Sequence, residues 1–324
     1  PAHPYSRKLF QSLPRGVSAE ASLAVIPGTV PSMTQVFAGC RFAERCDLRK
    51  PDCDARPAPW VELGHQHQVR CVLHIGAGHG AQADQAREPT TGGGASPAVR
   101  SGVGDDAPLL KVEDLEVHFP IRRGLFKRTV GAVRAVDGVS LQVGTGECLA
   151  LVGESGCGKT TVGKSILRLV PPTAGRVLLD DVELGGLGRA QLRARRKDMQ
   201  IVFQDPYASL DPRMPVAELL QEGMAALDIG DAQWRAGRAD ELLSQVGLAA
   251  SMNSRYPNEF SGGQRQRIVI ARALAVDPKL LVCGEPTSAL DVSVQAQILN
   301  LLKALQQRLR LSYLFITHDF SVVG

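Results

Sequence analysis

The sequence predicts an α/β fold with a mainly parallel sheet in its C-terminal part. From Leu109 onward, short apolar runs of strand length alternate with longer segments in which apolar residues recur every three to four positions. The alternation over 110–119 and 139–143 predicts half-buried strands, and the continuous apolar run Cys148–Val152 is typical of a strand buried on both faces. Further buried strands are expected at 199–203, 279–283 and 312–316, and helices at about 159–169, 215–227, 236–246, 263–275 and 293–309.

Composition excludes several classes of protein. The 324 residues are 44% hydrophobic and 22% charged, a balance that allows a buried core and argues against wholesale disorder. No run approaches the roughly 18 consecutive apolar residues of a membrane span. The net charge of +4 and the aromatic content of 5% give no support to a nucleic-acid surface, because such surfaces need basic patches and stacking rings. A membrane pore, a collagen-like fibre and a disordered tail are excluded.

Three regions of the chain differ in composition and in hydrophobic periodicity. Residues 1–75 are rich in proline, hold four of the seven cysteines and show few periodic patterns, so we expect a loop-rich tail. Residues 76–106 offer too little apolar surface to offset the entropy of ordering, which predicts a flexible linker. Residues 107–324 are expected to form the α/β domain. Because the chain begins without Met and ends just after an expected strand, we expect a fragment of a longer protein.

A phosphate-binding loop follows the strand at 148–152. Its eight-position pattern and one further hydroxyl comprise Gly153, Glu154, Ser155, Gly156, Cys157, Gly158, Lys159, Thr160 and Thr161. Glycines let backbone N–H groups turn inward around phosphate oxygens, and the N-terminus of the following helix adds a partial positive charge. Lys159 would reach the β- and γ-phosphates, and the Thr160 hydroxyl would bind Mg²⁺. The strand–loop–helix context therefore predicts a nucleotide site.

Further segments downstream narrow the kind of phosphate-loop protein. In chain order they are Gln204 after a strand, Ser261, Gly262, Gly263 and Gln264 at the start of a helix, Glu285 after a strand, Asp291, and His318 after another strand. Gln204 or His318 alone would more often be a plain surface residue. At this order and spacing, the domain resembles the ATP-binding subunits of ABC transporters. The resemblance implies a P-loop NTPase fold of the ABC ATPase type, with an inserted helical subdomain at about 206–273.

The resemblance implies a role for each of these residues. Glu285 would be the general base that polarises water toward the γ-phosphate, and His318 would contact that phosphate. Gln204 would sense Mg²⁺ and the attacking water. Residues 261–264 would bind the γ-phosphate held by an opposite ATPase domain through a helix N-terminus, and Asp291 would cross the interface between the two domains. ATP and Mg²⁺ are the implied cofactors, and one domain supplies half of each site.

Longer stretches resemble the ATPases of dipeptide, oligopeptide and nickel importers. They are Gln204–Pro212, Arg255–Phe260 and Ser288–Gln297 in the domain, and His3–Arg7, Ile26–Pro31 and Gly39–Ala43 in the tail. The tail is similar to the segment that follows an ATPase domain in those importers. The resemblance therefore implies a tandem protein: the tail of an upstream ATPase domain, then a second domain truncated after the His318 segment.

This family implies an ATPase that powers peptide import at the cytoplasmic face of the membrane. Its partners would be a second ABC ATPase domain, two transmembrane permease subunits and an extracytoplasmic solute-binding protein, with no nucleic acid. Asp211, Arg213 and Met214 are candidate permease contacts. Two alternatives stay open. One is a soluble ABC ATPase of translation or DNA repair, which would need a binding insertion, and the other is a regulatory half that binds ATP and is deficient in hydrolysis.

Two departures from the family pattern bear on the site. The family places Asp immediately before the general base, where its carboxylate supports Mg²⁺, but this chain has Gly284, which offers no ligand. We expect this site to bind ATP and to hydrolyse it poorly. A degenerate second site in an asymmetric pair, an introduced substitution and a sequence error are the three interpretations of the glycine. For stacking on adenine, alignment offers Phe126 or Val130, near a basic insertion at 122–128 that we expect to be a solvated loop.

The tail cysteines indicate a metal group. Cys40, Cys46, Cys53 and Cys71 are separated by five, six and seventeen residues, which is not the close-paired spacing of a zinc ribbon. Some ATPases of the importer family carry a four-iron cluster in this tail, so the resemblance implies a [4Fe-4S] iron–sulfur cluster. Zinc and unligated thiols are the alternatives. Cys148, Cys157 and Cys283 are expected to be small core or loop residues.

Overall fold

The computed structural model describes residues 2–12, 25–28, 37–64, 67–75, 107–123, 128–153, 156–288 and 290–317. These residues divide into two compact units, one within the first 105 residues and one that holds the described residues from 107 onward. The linker expected at 76–106, together with Glu154, Ser155, Phe126 and His318, lies outside the described residues.

The N-terminal unit is built from short elements. They are helix α1 (Pro4–Gln11), helix α2 (Asp52–Ala55), and the antiparallel strands β1 (Val61–Gly64) and β2 (His67–Val69). Helix α1 begins with Pro4, which suits the first helical position because its missing N–H would have no partner there. The His3 ring caps the same end, since its Nδ1 accepts the Tyr5 N–H at 3.1 Å. Ile26, Phe42, Ala43, Ala58 and Val69 form a small buried core in this unit.

The described part of the second unit contains two four-stranded sheets. One is parallel, in the order β5 (Cys148–Val152), β10 (Ser312–Thr317), β9 (Leu280–Gly284) and β8 (Met199–Val202). The other is antiparallel, in the order β4 (Arg128–Val143), β3 (Leu110–Arg123), β6 (Ala174–Leu179) and β7 (Val182–Glu183). The expectation of a mainly parallel sheet thus describes one of the two sheets. Strands β3 and β4 are joined by a short connection, which permits only antiparallel pairing.

Helices cover the parallel sheet and build the inserted subdomain. They are α3 (Lys159–Ile166), α4 (Arg189–Arg195), α5 (Pro206–Ser209), α6 (Val216–Ala226), α7 (Ala232–Gln245), α8 (Gly262–Leu274) and α9 (Val292–Leu309). All five long helices expected from the apolar period are present. Helices α6, α7 and α8 pack together through fully buried side chains, among them Leu219, Leu220, Met224, Leu242 and Ile268. The three helices fall at about 206–273, the range in which the resemblance predicts an inserted subdomain, and that assignment stays a prediction.

Two expectations about local structure were wrong. Strand β5 is an outer strand of the described parallel sheet and pairs only with β10 there, so its residues are half-buried or exposed rather than buried on both faces. The basic insertion is also not simply a loop. Arg122 pairs with Thr129 and Arg123 pairs with Arg128, so β3 and β4 continue as a hairpin through it. Residues 124–127, which connect the two strands, lie outside the described part.

Candidate functional site

The candidate site lies where the parallel strands end. Strand β5 leads into Gly153, β8 is followed by Gln204, and β9 ends just before Glu285. The carboxyl ends of parallel strands share one edge of a sheet, which is where α/β proteins of this kind bind ligands. Strand β10 ends at Thr317 on the same edge, immediately before His318.

The phosphate loop takes a backbone conformation that requires glycine at its end. Gly158 has a φ of +99°, and a Cβ atom there would lie 2.1 Å from the Ala135 carbonyl oxygen. A side chain therefore fits neither the conformation nor the space. Helix α3 starts at the next residue, Lys159, with the Val162 N–H bonded to the Gly158 carbonyl at 3.0 Å. The loop thus delivers the chain directly to a helix N-terminus, which attracts anions.

The described side chains of the loop are arranged around its opening. Lys159 is buried, and its Nζ donates to the Gly153 carbonyl oxygen at 2.7 Å and lies 3.7 Å from Cys157 Sγ. Thr160 is exposed in the first turn of α3, and Thr161 beside it is half-buried. The lysine ammonium is therefore held inside the loop, while a hydroxyl faces solvent at its rim.

Gln204 and Glu285 meet although 81 residues separate them. Gln204 Nε2 donates to Glu285 Oε2 at 2.8 Å and lies 3.4 Å from Ser288 Oγ. Glu285 has a φ of +50°, a left-handed conformation that costs a non-glycine residue roughly 1–2 kcal/mol. Its backbone N–H donates to the Ile316 carbonyl oxygen at 2.9 Å, which ties the strained residue to β10. The structure therefore brings together the two side chains to which the family resemblance gives roles toward water and Mg²⁺.

The backbone conformation at position 284 does not require glycine. A Cβ atom at this position would lie 3.4 Å from the Val202 carbonyl oxygen, its nearest neighbour, and the residue does not have a left-handed φ. It is the last residue of β9 and pairs with Ile316 in the sheet. A Cβ atom therefore fits here in ordinary van der Waals contact, and the backbone does not exclude a side chain.

The Ser261–Gln264 segment forms the capped start of helix α8. The Ser261 N–H donates to Gln264 Oε1 at 3.0 Å, and the Gln264 N–H donates to Ser261 Oγ at 3.4 Å, which is a reciprocal capping box. Gly262 and Gly263 occupy the first turn, where backbone N–H groups have no partner within the helix. Asp291 is exposed and occupies the N-cap position of α9 without a side-chain capping bond.

Arg265, in the first turns of α8, ties the start of that helix to the segment that precedes it. Its guanidinium is buried, donates to the Pro257 carbonyl oxygen at 2.6 Å and lies 3.8 Å from the centre of the Tyr207 ring.

The candidate permease contacts lie in the same subdomain. Asp211 accepts the Arg213 backbone N–H at 3.0 Å, and the Arg213 guanidinium lowers the pKa of the Asp211 carboxyl. Met214 beside them is half-buried. This exposed turn is the surface that the sequence offered as a permease contact.

Of the two residues predicted to stack on adenine, Phe126 lies outside the described residues and Val130 is 60% exposed on β4. Phe119 on β3 is a 44% exposed aromatic ring that pairs with Val133 on β4. Strand β4 also carries Ala135, whose carbonyl abuts Gly158 of the phosphate loop. The alternation that leads to Phe119 was interpreted only as one face of a strand, and stacking of its ring on adenine is a new prediction.

The four tail cysteines line one small pocket. Cys53 and Cys71 are buried, Cys40 and Cys46 are half-buried, and none of the four forms a disulfide. The Cys40 N–H donates to the Cys53 carbonyl oxygen at 2.7 Å. Burial raises the pKa of the Cys46 and Cys71 thiols. The four cysteines therefore line one pocket, but no three of their sulfurs lie within 4.8 Å of one another.

Two protein families match the chain. The ABC transporter family matches residues 136–288, and the oligopeptide/dipeptide transporter C-terminal region matches residues 1–53. The oligopeptide transport ATP-binding protein OppD of Mycobacterium tuberculosis is 44% identical over 323 residues, which are 99% of this chain and 52% of OppD. The chain thus spans about half the length of that relative. No helix in the described ranges has the length and apolar character to cross a membrane.

Shorter relatives and solved structures agree on the ATPase domain. The oligopeptide transport ATP-binding protein AppF of Bacillus subtilis is 50% identical over 216 residues, 66% of each chain. The Brucella ovis protein BOV_A0347 is 49% identical over 218 residues, 67% of each chain. The ATP-binding cassette MJ0796, solved as a dimer with ADP and Pi, superposes with a TM-score of 0.58 at 30% identity, covering 66% of this chain and 89% of MJ0796. The chain therefore belongs to the ATP-binding proteins of the ABC transporter family, in its oligopeptide/dipeptide branch.

Proposed function

We propose that the chain binds and hydrolyses ATP to power peptide import through partner permeases. One observation carries the proposal: a tail of the oligopeptide/dipeptide transporter type stands in the same chain as an ABC phosphate loop. Relatives with this combination are named oligopeptide transport ATP-binding proteins. The tail favours peptide import over a soluble ATPase of translation or DNA repair, because nothing in such a function calls for it.

The residues of the site fit ATP and Mg²⁺. The tight turn at Gly158, the buried Lys159 ammonium and the exposed Thr160 hydroxyl match a triphosphate and its metal ion. Bound Mg²⁺ supplies positive charge that neutralises the developing charge on the phosphoryl group. Glu285 would then accept a proton from the attacking water, and Gln204, already bonded to Glu285, would orient that water. Catalysis of this kind consists mainly of positioning and charge stabilisation.

A second ATPase domain would complete the site. The first turn of α8, opened by Ser261, presents free N–H groups that would bind the γ-phosphate held by the opposite domain. Asp291 at the exposed start of α9 would lie in that interface, and His318 would contact the γ-phosphate from its own domain. Two permease subunits and an extracytoplasmic solute-binding protein would complete the transporter at the cytoplasmic face of the membrane.

Gly284 favours a second candidate function for this site. Without a carboxylate before Glu285, the protein has one group fewer to hold the water shell of Mg²⁺, so this half would bind ATP as a clamp while its partner site hydrolyses. The two functions differ in whether Glu285 matters for turnover. Replacement of Glu285 by Gln stops hydrolysis at this site if the residue is the general base, and changes nothing if the site is only a clamp.

The tail cysteines would hold an iron–sulfur cluster. The resemblance to importer ATPases that carry a four-iron cluster in this tail supports the proposal, and Cys40, Cys46, Cys53 and Cys71 line one pocket. Such a cluster would staple a segment with little apolar core. Iron and sulfide analysis of protein purified without oxygen tests this, and Cys53→Ser should lose the iron.

Uptake by proteoliposomes tests the main proposal. The protein is reconstituted with its permeases and binding protein, and entry of a labelled oligopeptide is measured with and without ATP. Lys159→Ala should abolish ATP-dependent uptake, while Lys164→Ala, on the same helix α3, should leave it intact. ATP hydrolysis without peptide entry, or uptake that survives Lys159→Ala, would contradict the proposal.

A further inference from the structure

Three metal-ligating side chains converge on the hairpin formed by β3 and β4. Glu116 and His118 stand two residues apart on β3, beside an irregularity in its pairing with β4, and Asp137 lies on β4. His118 Nε2 is 3.8 Å from Glu116 Oε2 and 3.6 Å from Asp137 Oδ1. The three ligand atoms all lie within 4.8 Å of one another, and no other such group of His, Cys, Asp and Glu occurs in the described ranges.

These separations suit a shared cation better than direct hydrogen bonds. Both distances from Nε2 exceed the roughly 2.7–3.2 Å of an N–H···O bond. The His118 Nε2 atom is buried and has no hydrogen-bond partner among the described residues, a costly state for a polar atom. Ligands bound at about 2.0–2.2 Å to a tetrahedral ion lie about 3.4 Å apart, close to the 3.8 and 3.6 Å that separate His118 Nε2 from the two carboxylate oxygens.

The backbone holds these ligands in place. The His118 N–H donates to Thr173 Oγ1 at 2.8 Å, and the Thr173 N–H donates to the Glu116 carbonyl oxygen at 2.7 Å. One threonine therefore fixes β3 at both ligand positions. The nearest competing cation is Arg134, whose Nη1 lies 3.6 Å from Asp137 Oδ2, so the Oδ1 atom is the one that approaches the imidazole.

We propose that Glu116, His118 and Asp137 bind one first-row divalent cation, with Zn²⁺ as the best match. Zinc takes imidazole and carboxylate ligands together, whereas Mg²⁺ prefers an octahedron of oxygen atoms. Two carboxylates provide the negative charge, and the Asp137 side chain is 57% exposed, so water can reach the remaining position. The ion would tie β3 to β4 next to Phe119, the residue that follows His118. The inference does not depend on peptide import.

Metal titration of the nucleotide-free chain tests the site. Bound Zn²⁺ is counted by equilibrium dialysis. Co²⁺ serves as a spectroscopic probe, because Co²⁺ bound by nitrogen and oxygen lacks the strong sulfur-to-metal charge-transfer bands that it would show when bound by the tail thiolates. The parent chain should bind one more equivalent of Zn²⁺ than the His118→Gln variant. Asp137→Asn should lower the affinity for that additional Zn²⁺ ion at least tenfold. Because the tail cysteines are the same in all variants, any metal they hold cancels in the difference.

Two further variants serve as controls. Glu113→Gln removes a carboxylate that lies on the same strand but forms an ion pair with Lys111 at 2.6 Å and not with the cluster. This variant should still bind the additional Zn²⁺ ion. Arg134→Gln removes the competing cation, and its affinity for the additional Zn²⁺ ion should equal or exceed that of the parent chain. If His118→Gln does not fold, the largely exposed Asp137→Asn decides the question. Equal binding by the parent chain and both cluster variants would show that the three residues form ordinary ion pairs.

Discussion

Restoring a carboxylate at position 284 should accelerate ATP hydrolysis. Gly284→Asp places a side chain directly before Glu285, at the end of β9 and beside the exit of β8. The backbone accepts it, since the new Cβ would lie 3.4 Å from the Val202 carbonyl oxygen and the φ is not left-handed. The added carboxylate would accept hydrogen bonds from water held by Mg²⁺, and the Thr160 hydroxyl would supply a ligand to the same ion.

The size of the effect follows from one charge-assisted hydrogen bond. Such a bond contributes about 1.5–3 kcal/mol, and each 1.36 kcal/mol of transition-state stabilisation changes a rate tenfold. We therefore expect Gly284→Asp to raise the hydrolysis rate between about 10-fold and 150-fold. Gly284→Asn is the matched control, because it has the same shape without the charge and should give a smaller increase.

The assay is single-turnover hydrolysis of ATP with Mg²⁺ and protein in excess. Equal rates for the parent chain, Gly284→Asp and Gly284→Asn would refute the idea that a missing carboxylate limits this site. Gly284→Asp combined with Glu285→Gln should return the rate to background. If that double variant still hydrolyses ATP quickly, Glu285 is not the general base.

Three further predictions concern the rest of the site. Phe119→Ala should weaken ATP binding roughly 5- to 150-fold, the equivalent of about 1–3 kcal/mol for a base stacked on a ring, while Ile121→Ala on the same hairpin should not; equal affinities would exclude stacking on Phe119. MgATP should slow alkylation of the exposed Cys157 thiol by N-ethylmaleimide, and buried Cys283, whose thiol pKa is raised by burial, should stay unlabelled; labelling of Cys157 unaffected by MgATP would place the nucleotide elsewhere. Ser261→Ala should lower the free energy of unfolding in urea by about 1 kcal/mol through loss of the α8 cap, and an unchanged midpoint would show that the cap is dispensable.

Sequence reasoning worked best where the information is local. The phosphate loop needs only a strand, a run of glycines and a helix in succession, and the structure has β5, the turn at Gly158 and α3 in that order. The helix start at Ser261 is equally local, because a capping box spans four residues. The convergence of Gln204 with Glu285, 81 residues away, was accessible only through the resemblance to ABC ATPases.

Other features depend on where the core ends, which periodicity does not reveal. Leu115 and Val117 are buried while Phe119, the next residue of the same alternation, is 44% exposed. The three have the same pattern, but the hairpin extends beyond the core at Phe119. An apolar strand likewise looks the same in sequence whether it has one neighbour or two, which is why the half-exposed position of β5 was not foreseen.

Contacts between distant segments were the hardest to predict. Spacing alone could not show that four tail cysteines line one pocket, because chain reversals between them set their distances. The Glu116, His118 and Asp137 cluster was missed for the same reason: its members become neighbours only through the pairing of β3 with β4.

Equilibrium binding of ATP tests the central claim most directly. The affinity for ATP with Mg²⁺ is measured for the parent chain, for Lys159→Ala and for Lys164→Ala, which removes a half-buried lysine from the last turn of the same helix. If the phosphate loop is the nucleotide site, Lys159→Ala weakens binding at least tenfold and Lys164→Ala leaves it unchanged. If all three proteins bind ATP equally well, the loop does not hold the nucleotide and the proposed function falls with it.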